Sequence, residues 1–168
     1  MKLQNKTLVL FFAFLISTFA FAQKKVTSPA ETVTGKINGT TITIKYGSPS
    51  VKGRAIWGAL VPYDKVWRAG ANDATTFETD KNITIEGKQL PAGKYSFFVI
   101  PSENESIIIF NKEAKQWGSY DYKVGSDQLR VTVKNERGDV LVEKLEYKIM
   151  ETRIELLWEN LIIGFEVK

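Results

Sequence analysis

Apolar and polar residues alternate with a period of two along most of the chain, the spacing that sends successive side chains to opposite faces of a β-strand. Thr41-Ile42-Thr43-Ile44-Lys45-Tyr46 sets Ile42, Ile44 and Tyr46 on one face, and Asn38-Gly39 before it predicts a tight hairpin with residues 31–37. Residues 74–80 and 82–86 read as two short strands, followed by a turn at Glu86-Gly87-Lys88. Residues 95–100 and 106–110 flank Pro101-Ser102-Glu103-Asn104-Glu105 and form a second hairpin. Leu129, Val131 and Val133 alternate with Arg130, Thr132 and Lys134, after which Arg137-Gly138-Asp139 turns the chain into a strand over 140–150. Ile154, Leu156 and Trp158 share one face, as do Leu161, Ile163, Phe165 and Val167. About ten strands follow, with a single helical turn allowed at 112–117. Strands that are apolar on one side need an opposing sheet. The expected fold is therefore all-β, a two-sheet antiparallel β-sandwich, with a closed β-barrel as the alternative. No repeat or linker divides the chain, so one domain is expected over 31–168.

One stretch departs from this rhythm. Residues 48–72, SPSVKGRAIWGALVPYDKVWRAGAN, contain Trp57, Tyr63 and Trp67, and set Lys52, Arg54, Lys65 and Arg68 against Asp64 alone, a net charge of +3. A connection of this length inside a compact domain is functional or disordered, and its aromatic content argues for order.

The N-terminus changes how the totals are read. Lys2 and Lys6 precede an apolar run from Leu8 to Ile16, and Ala20-Phe21-Ala22 fits the small-x-small cleavage rule, which predicts a signal peptide over 1–22. The run is shorter than the roughly 20 residues of a membrane span, so no integral membrane segment is expected after cleavage. Residues 23–30 form a polar, flexible lead-in. The whole chain has 168 residues and a formal charge of +4; without residues 1–22 it has 146 and a charge of +2. An exported protein so close to neutral gives no electrostatic case for nucleic-acid binding. It is expected in the periplasm or outside the cell. The chain has no Cys and no His, which removes disulfides, thiolate or imidazole metal sites and the usual catalytic triad. No metal or cofactor is implied, and nothing sets the oligomeric state.

Ser28-Pro29-Ala30, the run Ser48-Pro49-Ser50-Val51-Lys52-Gly53-Arg54, the block from Val66 to Thr75 with Trp67-Arg68-Ala69-Gly70-Ala71-Asn72, and Leu90-Pro91-Ala92-Gly93-Lys94-Tyr95-Ser96 resemble an exported bacterial family. That family is catalogued as domain of unknown function 2911. The resemblance covers nearly all of the chain beyond residue 22. It implies an exported or periplasmic protein of a Bacteroidetes-type bacterium, and no activity.

The chemistry of the residues must then be weighed directly. Arg54 and Arg68 offer planar forks to a carboxylate, phosphate or sulfate, and Trp57, Tyr63 and Trp67 offer flat apolar faces to a sugar ring. Asn72 adds a donor and an acceptor. These six residues are the candidate ligand-binding set for a small polar or anionic ligand, including a saccharide. Under the competing packing interpretation the Trp residues plug the sandwich, Arg68 pairs with Asp64 or Asp73, and Arg54 caps carbonyls. A non-catalytic binding module is favoured. The alternatives are a glycosidase-like hydrolase using two of Asp64, Asp73, Glu78 and Asp80, or a structural interaction module of the cell envelope.

Overall fold

The computed structural model describes residues 27–168, so the predicted signal peptide and residues 23–26 lie outside the described residues. Among the described residues nine strands form: β1 (Ala30–Ile37), β2 (Thr40–Gly47), β3 (Thr75–Thr79), β4 (Ile83–Ile85), β5 (Lys88–Leu90), β6 (Gly93–Pro101), β7 (Glu105–Asn111), β8 (Asp127–Ile149) and β9 (Arg153–Glu166). Seven of them make one antiparallel sheet in the order β1-β2-β3-β6-β7-β8-β9, while β4 and β5 make a separate hairpin. The sheet curls into a half-barrel that does not close, the arrangement of a sandwich rather than of the closed-barrel alternative.

The local chemistry accounts for these elements. Asn38 and Gly39 both take positive φ, 49° and 73°, as a two-residue hairpin turn requires between β1 and β2. Arg137-Gly138-Asp139, an expected turn, instead lies within the 23-residue β8. The first part of β8 pairs with β7, and from Asn135 onward it pairs with β9 through two register shifts. Glu159, at φ 56°, sits opposite Val142 beside those shifts. Extra residues of this kind bend and twist a strand without ending it, so β8 and β9 carry the chain around the curl as one long hairpin. The break expected at 137–139 is thus absent, as is one between Trp158 and Leu161, which β9 runs through, and the three-residue β5 is a strand that the alternation does not signal. The helical turn expected at 112–117 is not formed; the helical turn among the described residues is Val124–Ser126. The β4–β5 hairpin joins the end of β9 and the residues after it, with Glu86 N–H donating to Glu166 O at 3.1 Å, Thr84 N–H to Lys168 O at 2.6 Å and Lys168 N–H to Thr84 O at 3.0 Å.

The core lies between the facing walls. Phe97 of β6 meets Phe110 at 5.3 Å, Phe165 at 5.8 Å and Tyr147 at 6.1 Å between ring centroids, tying β6 and β7 to β8 and β9. Such pairs add about 0.5–1.5 kcal/mol each beyond area burial, which matters in a chain with no disulfide. β6 is buried on both faces. Tyr95, Phe97 and Val99 enter the main core, whereas Phe98 packs with Ala74 and Ile109 beneath Val66 and Tyr122 on the other side.

Candidate functional site

Residues 48–72 are ordered because they hydrogen-bond to the sheet at both ends. Val51 N–H donates to Glu143 O at 2.8 Å and Leu145 N–H to Pro49 O at 2.9 Å, pairing the start of the connection with β8. Asp64 N–H donates to Pro101 O at 2.8 Å, and Trp67 exchanges bonds of 2.8 and 2.9 Å with Val99 on β6. Between these ties Val51, Ile56, Val61 and Ala69 are buried in the main core.

The turn after Trp67 is set by a close backbone approach. Ala71 N–H donates to Gly47 O at 3.1 Å. A Cβ on Gly47 would stand 2.2 Å from Ala71 O, so only glycine fits. Ala69 O accepts from Thr75 Oγ1 at 2.9 Å and from Tyr147 Oη at 2.8 Å, and burial pushes the Tyr147 hydroxyl well above its ordinary pKa. Asn72 Nδ2 donates to Ser28 O at 3.1 Å, Ser48 N–H donates to Pro29 O at 2.8 Å, and Lys94 borders the same cleft as Ala71, Asn72, Asp73 and Ala74. The blocks 28–30, 48–54, 66–75 and 90–96, far apart in sequence, therefore meet around this turn.

The six candidate residues do not form one site. Trp57 and Trp67 face inward, their rings 5.6 Å apart, and both lie 6.0 Å from the ring of Trp158 on β9. Trp57 Nε1 donates to Trp158 O at 3.4 Å. Arg54 caps the turn beneath it, with Nε donating to Val51 O at 3.0 Å and Nη2 to Ser50 O at 2.5 Å. Tyr63 is half-buried with its ring against Gly58. Arg54, Trp67, Arg68, Lys52 and Trp158 all border a cleft of about 240 Å³, which Trp57, Tyr63 and Asn72 do not. Arg68 also reaches toward residues 112–126, where its Nη1 lies beside Gly118 and near the Tyr120 ring. It pairs with neither Asp64 nor Asp73 and makes no ion pair among the described residues. Its Nε is buried without an acceptor. Asn72 borders a second cleft of about 530 Å³, and Ala71 stands between the two.

The acids are dispersed. Asp64 and Asp73 are exposed, and Glu78 lies 3.7 Å from Lys94. Asp80 accepts from Thr41 N–H at 2.8 Å, a bond that holds its carboxyl below the usual range. The Trp-lined cleft is bordered by no carboxylate. No cluster of three potential metal ligands occurs among the described residues, nor any helix long and apolar enough to cross a membrane.

Sequence reasoning passed over Trp158, which reads as an ordinary strand residue, and the segment 112–126. In the latter, Trp117 is 61% and Tyr120 82% exposed. The segment is pinned by a polar network: Asn111 Nδ2 donates to Asp127 Oδ1 at 2.8 Å, Tyr122 Oη to Asp127 Oδ2 at 2.6 Å, and Arg130 Nη2 to Tyr122 Oη at 2.9 Å. Three aromatics within Gln116-Trp117-Gly118-Ser119-Tyr120-Asp121-Tyr122, outside any alternating strand, are the signal that marks it.

Fold and site together define an all-β, sandwich-like protein with an ordered cationic connection laid between two clefts. The chain belongs to the family described as protein of unknown function (DUF2911), which matches residues 28–167. No curated protein and no solved structure matches it.

Proposed function

We propose that the protein is an exported, non-catalytic binding domain for a small anionic ligand, with Arg68 of the connection 48–72 as the charged contact. The guanidinium of Arg68 carries this reading. It belongs to a half-buried residue, has no ion-pair partner among the described residues, and leaves a buried Nε unmet. An unmet buried donor costs about 1–3 kcal/mol, a cost that a bound anion relieves. The planar fork suits a carboxylate, phosphate or sulfate. Lys52 and Arg54 add positive charge beside it, although Arg54 already spends its fork on carbonyls. Trp57 and Trp67 serve the site by fixing the backbone that presents Arg68, and Asn72 fixes the turn that follows. Export rests on the segment Lys2 to Ala22, which carries the charge, apolar run and cleavage pattern of a signal peptide.

Calorimetric titration with phosphate and with sulfate tests the reading. Saturable binding is expected, weakened about 10- to 100-fold in Arg68→Ala, the range for a charge-assisted hydrogen bond. Equal binding by both proteins would contradict it.

A further inference from the structure

We infer that the larger cleft, of about 530 Å³, binds an acidic oligosaccharide, a short chain of uronate sugars. It opens on the side of the sheet where β1, β2 and β3 present polar residues, and it is walled by residues 71–74 and 114–116. The register places Thr32, Lys45 and Thr76 side by side across β1, β2 and β3. Lys94 enters from β6, two strands from Lys45 and two residues along. At about 4.8 Å between strands and 3.3 Å per residue, the two Cα atoms are about 12 Å apart. Lys115 stands in the wall. Lys45 and Lys115 make no ion pair among the described residues, and Glu78 lies 3.7 Å from Lys94.

Three cations thus border the cleft against two carboxylates, Glu31 and Asp73. They are spaced more widely than one carboxylate or sulfate spans, which favours a ligand whose charges repeat along a chain. The volume falls in the range of about 300–1,000 Å³ typical of ligand sites. Between the charges the cleft sets the hydroxyls and amides of Thr32, Thr76, Asn72 and Gln116 among the apolar surfaces of Ala30, Ala71, Ala74 and Ala114, the mixed lining that a sugar ring with polar edges and C–H faces requires. Gln116 Nε2 donates to Asn111 Oδ1 at 3.1 Å and to Glu113 O at 2.8 Å, which fixes the amide and leaves Oε1 without a donor. The Tyr46 ring packs against Tyr147 and the core, but Trp117, 61% exposed, pairs with Asp73 of the cleft wall and sets an aromatic face beside the cleft for the C–H face of a sugar ring.

This site is separate from Arg68 and is tested separately. The protein is titrated with trigalacturonate, with neutral cellotriose and with oligothymidylate of similar charge, alongside Lys45→Ala/Lys115→Ala, Asn72→Gly and Arg68→Ala. Asn72 sits at φ 65°, where glycine is at ease, so its replacement removes the amide and its bond to Ser28 O while leaving the backbone of the turn unstrained. Trigalacturonate is expected to bind saturably, at least tenfold more weakly to the double lysine variant, more weakly to Asn72→Gly, and unchanged to Arg68→Ala. Cellotriose is expected not to bind. Absence of trigalacturonate binding, equal binding of oligothymidylate, or an unaffected lysine variant would overturn the inference. Phosphate binding that still depends on Arg68 would, in that event, leave the Arg68 site standing.

Discussion

The connection 48–72 has two sides, and the same kinds of residue serve each differently. On the inner side Trp57, Trp67 and Trp158 close into a cluster of rings, with Val51, Ile56 and Val61 buried alongside. On the other, Arg68 reaches toward Gly118, and Asn72 borders the larger cleft. Trp67 and Arg68 are neighbours in sequence and both border the smaller cleft, yet the Trp67 ring packs with Trp57 and Trp158 while the Arg68 guanidinium extends toward Gly118. An aromatic next to a cation in the sequence is therefore not evidence that both touch one ligand. The inner residues hold the fold, with Trp158 Nε1 left without a partner among them, while on the outer side Asn72 is tied to Ser28 O and Arg68 keeps a buried Nε that the fold does not satisfy.

The largest effect expected from breaking this division is on the inner side. Trp158 is 1% exposed, and Trp158→Ala should cost about 3–5 kcal/mol, read as a lower urea midpoint; a loss under 1 kcal/mol would show that the cluster does not support the fold. Gly47→Ala comes next. The added methyl meets Ala71 O and must push the turn away, at about 1–3 kcal/mol, and the displaced Asn72 should lower affinity at the larger cleft as well. A stability loss without any change in binding would separate the turn from the cleft.

A smaller effect concerns the pinned segment 112–126. Burial first, and then its hydrogen bond to Asp127, push the Tyr122 hydroxyl up to about 12, against the lowering influence of Arg130. Its pKa is higher in the folded chain than the value near 10 of an unfolded one, so its contribution is whole below about pH 10 and is lost as the pH rises toward 12. Tyr122→Phe should flatten the alkaline decline in stability and speed amide exchange across 112–126. An unchanged alkaline slope would show that the network does not anchor the segment. Smallest of all should be the effect of Arg68→Ala on stability, within about 1 kcal/mol of zero, because there is no ion pair to lose and relief of the unmet Nε offsets the packing that the half-buried stem gives up.

Much of the fold is legible in the alternation. Residues 41–46, 95–100 and 106–110 fall within β2, β6 and β7, and Asn38-Gly39 turns as its residue types require. The misjudged places are those where tertiary pairing overrides a turn signal. Arg137-Gly138-Asp139 carries turn residues, but its neighbours are held by pairing to β9, so the strand bends and continues. β5 is too short to show a period. Of the candidate site, the anomaly of 48–72 was visible in its charge and aromatic content, whereas its division into two sides depends on partners such as Val99, Trp158 and Gly118 that are distant in sequence. The larger cleft was hidden for the same reason, since Lys45, Lys94 and Lys115 come from three separate elements.

The most direct measurement is a urea titration of the wild-type protein, Trp67→Phe and Arg68→Ala, each with and without saturating phosphate. Trp67→Phe should lose stability and keep the increment that phosphate confers, while Arg68→Ala should keep its stability and lose that increment. The opposite pattern, with Trp67→Phe losing the increment and Arg68→Ala retaining it, would contradict the division of the connection into a structural side and a binding side.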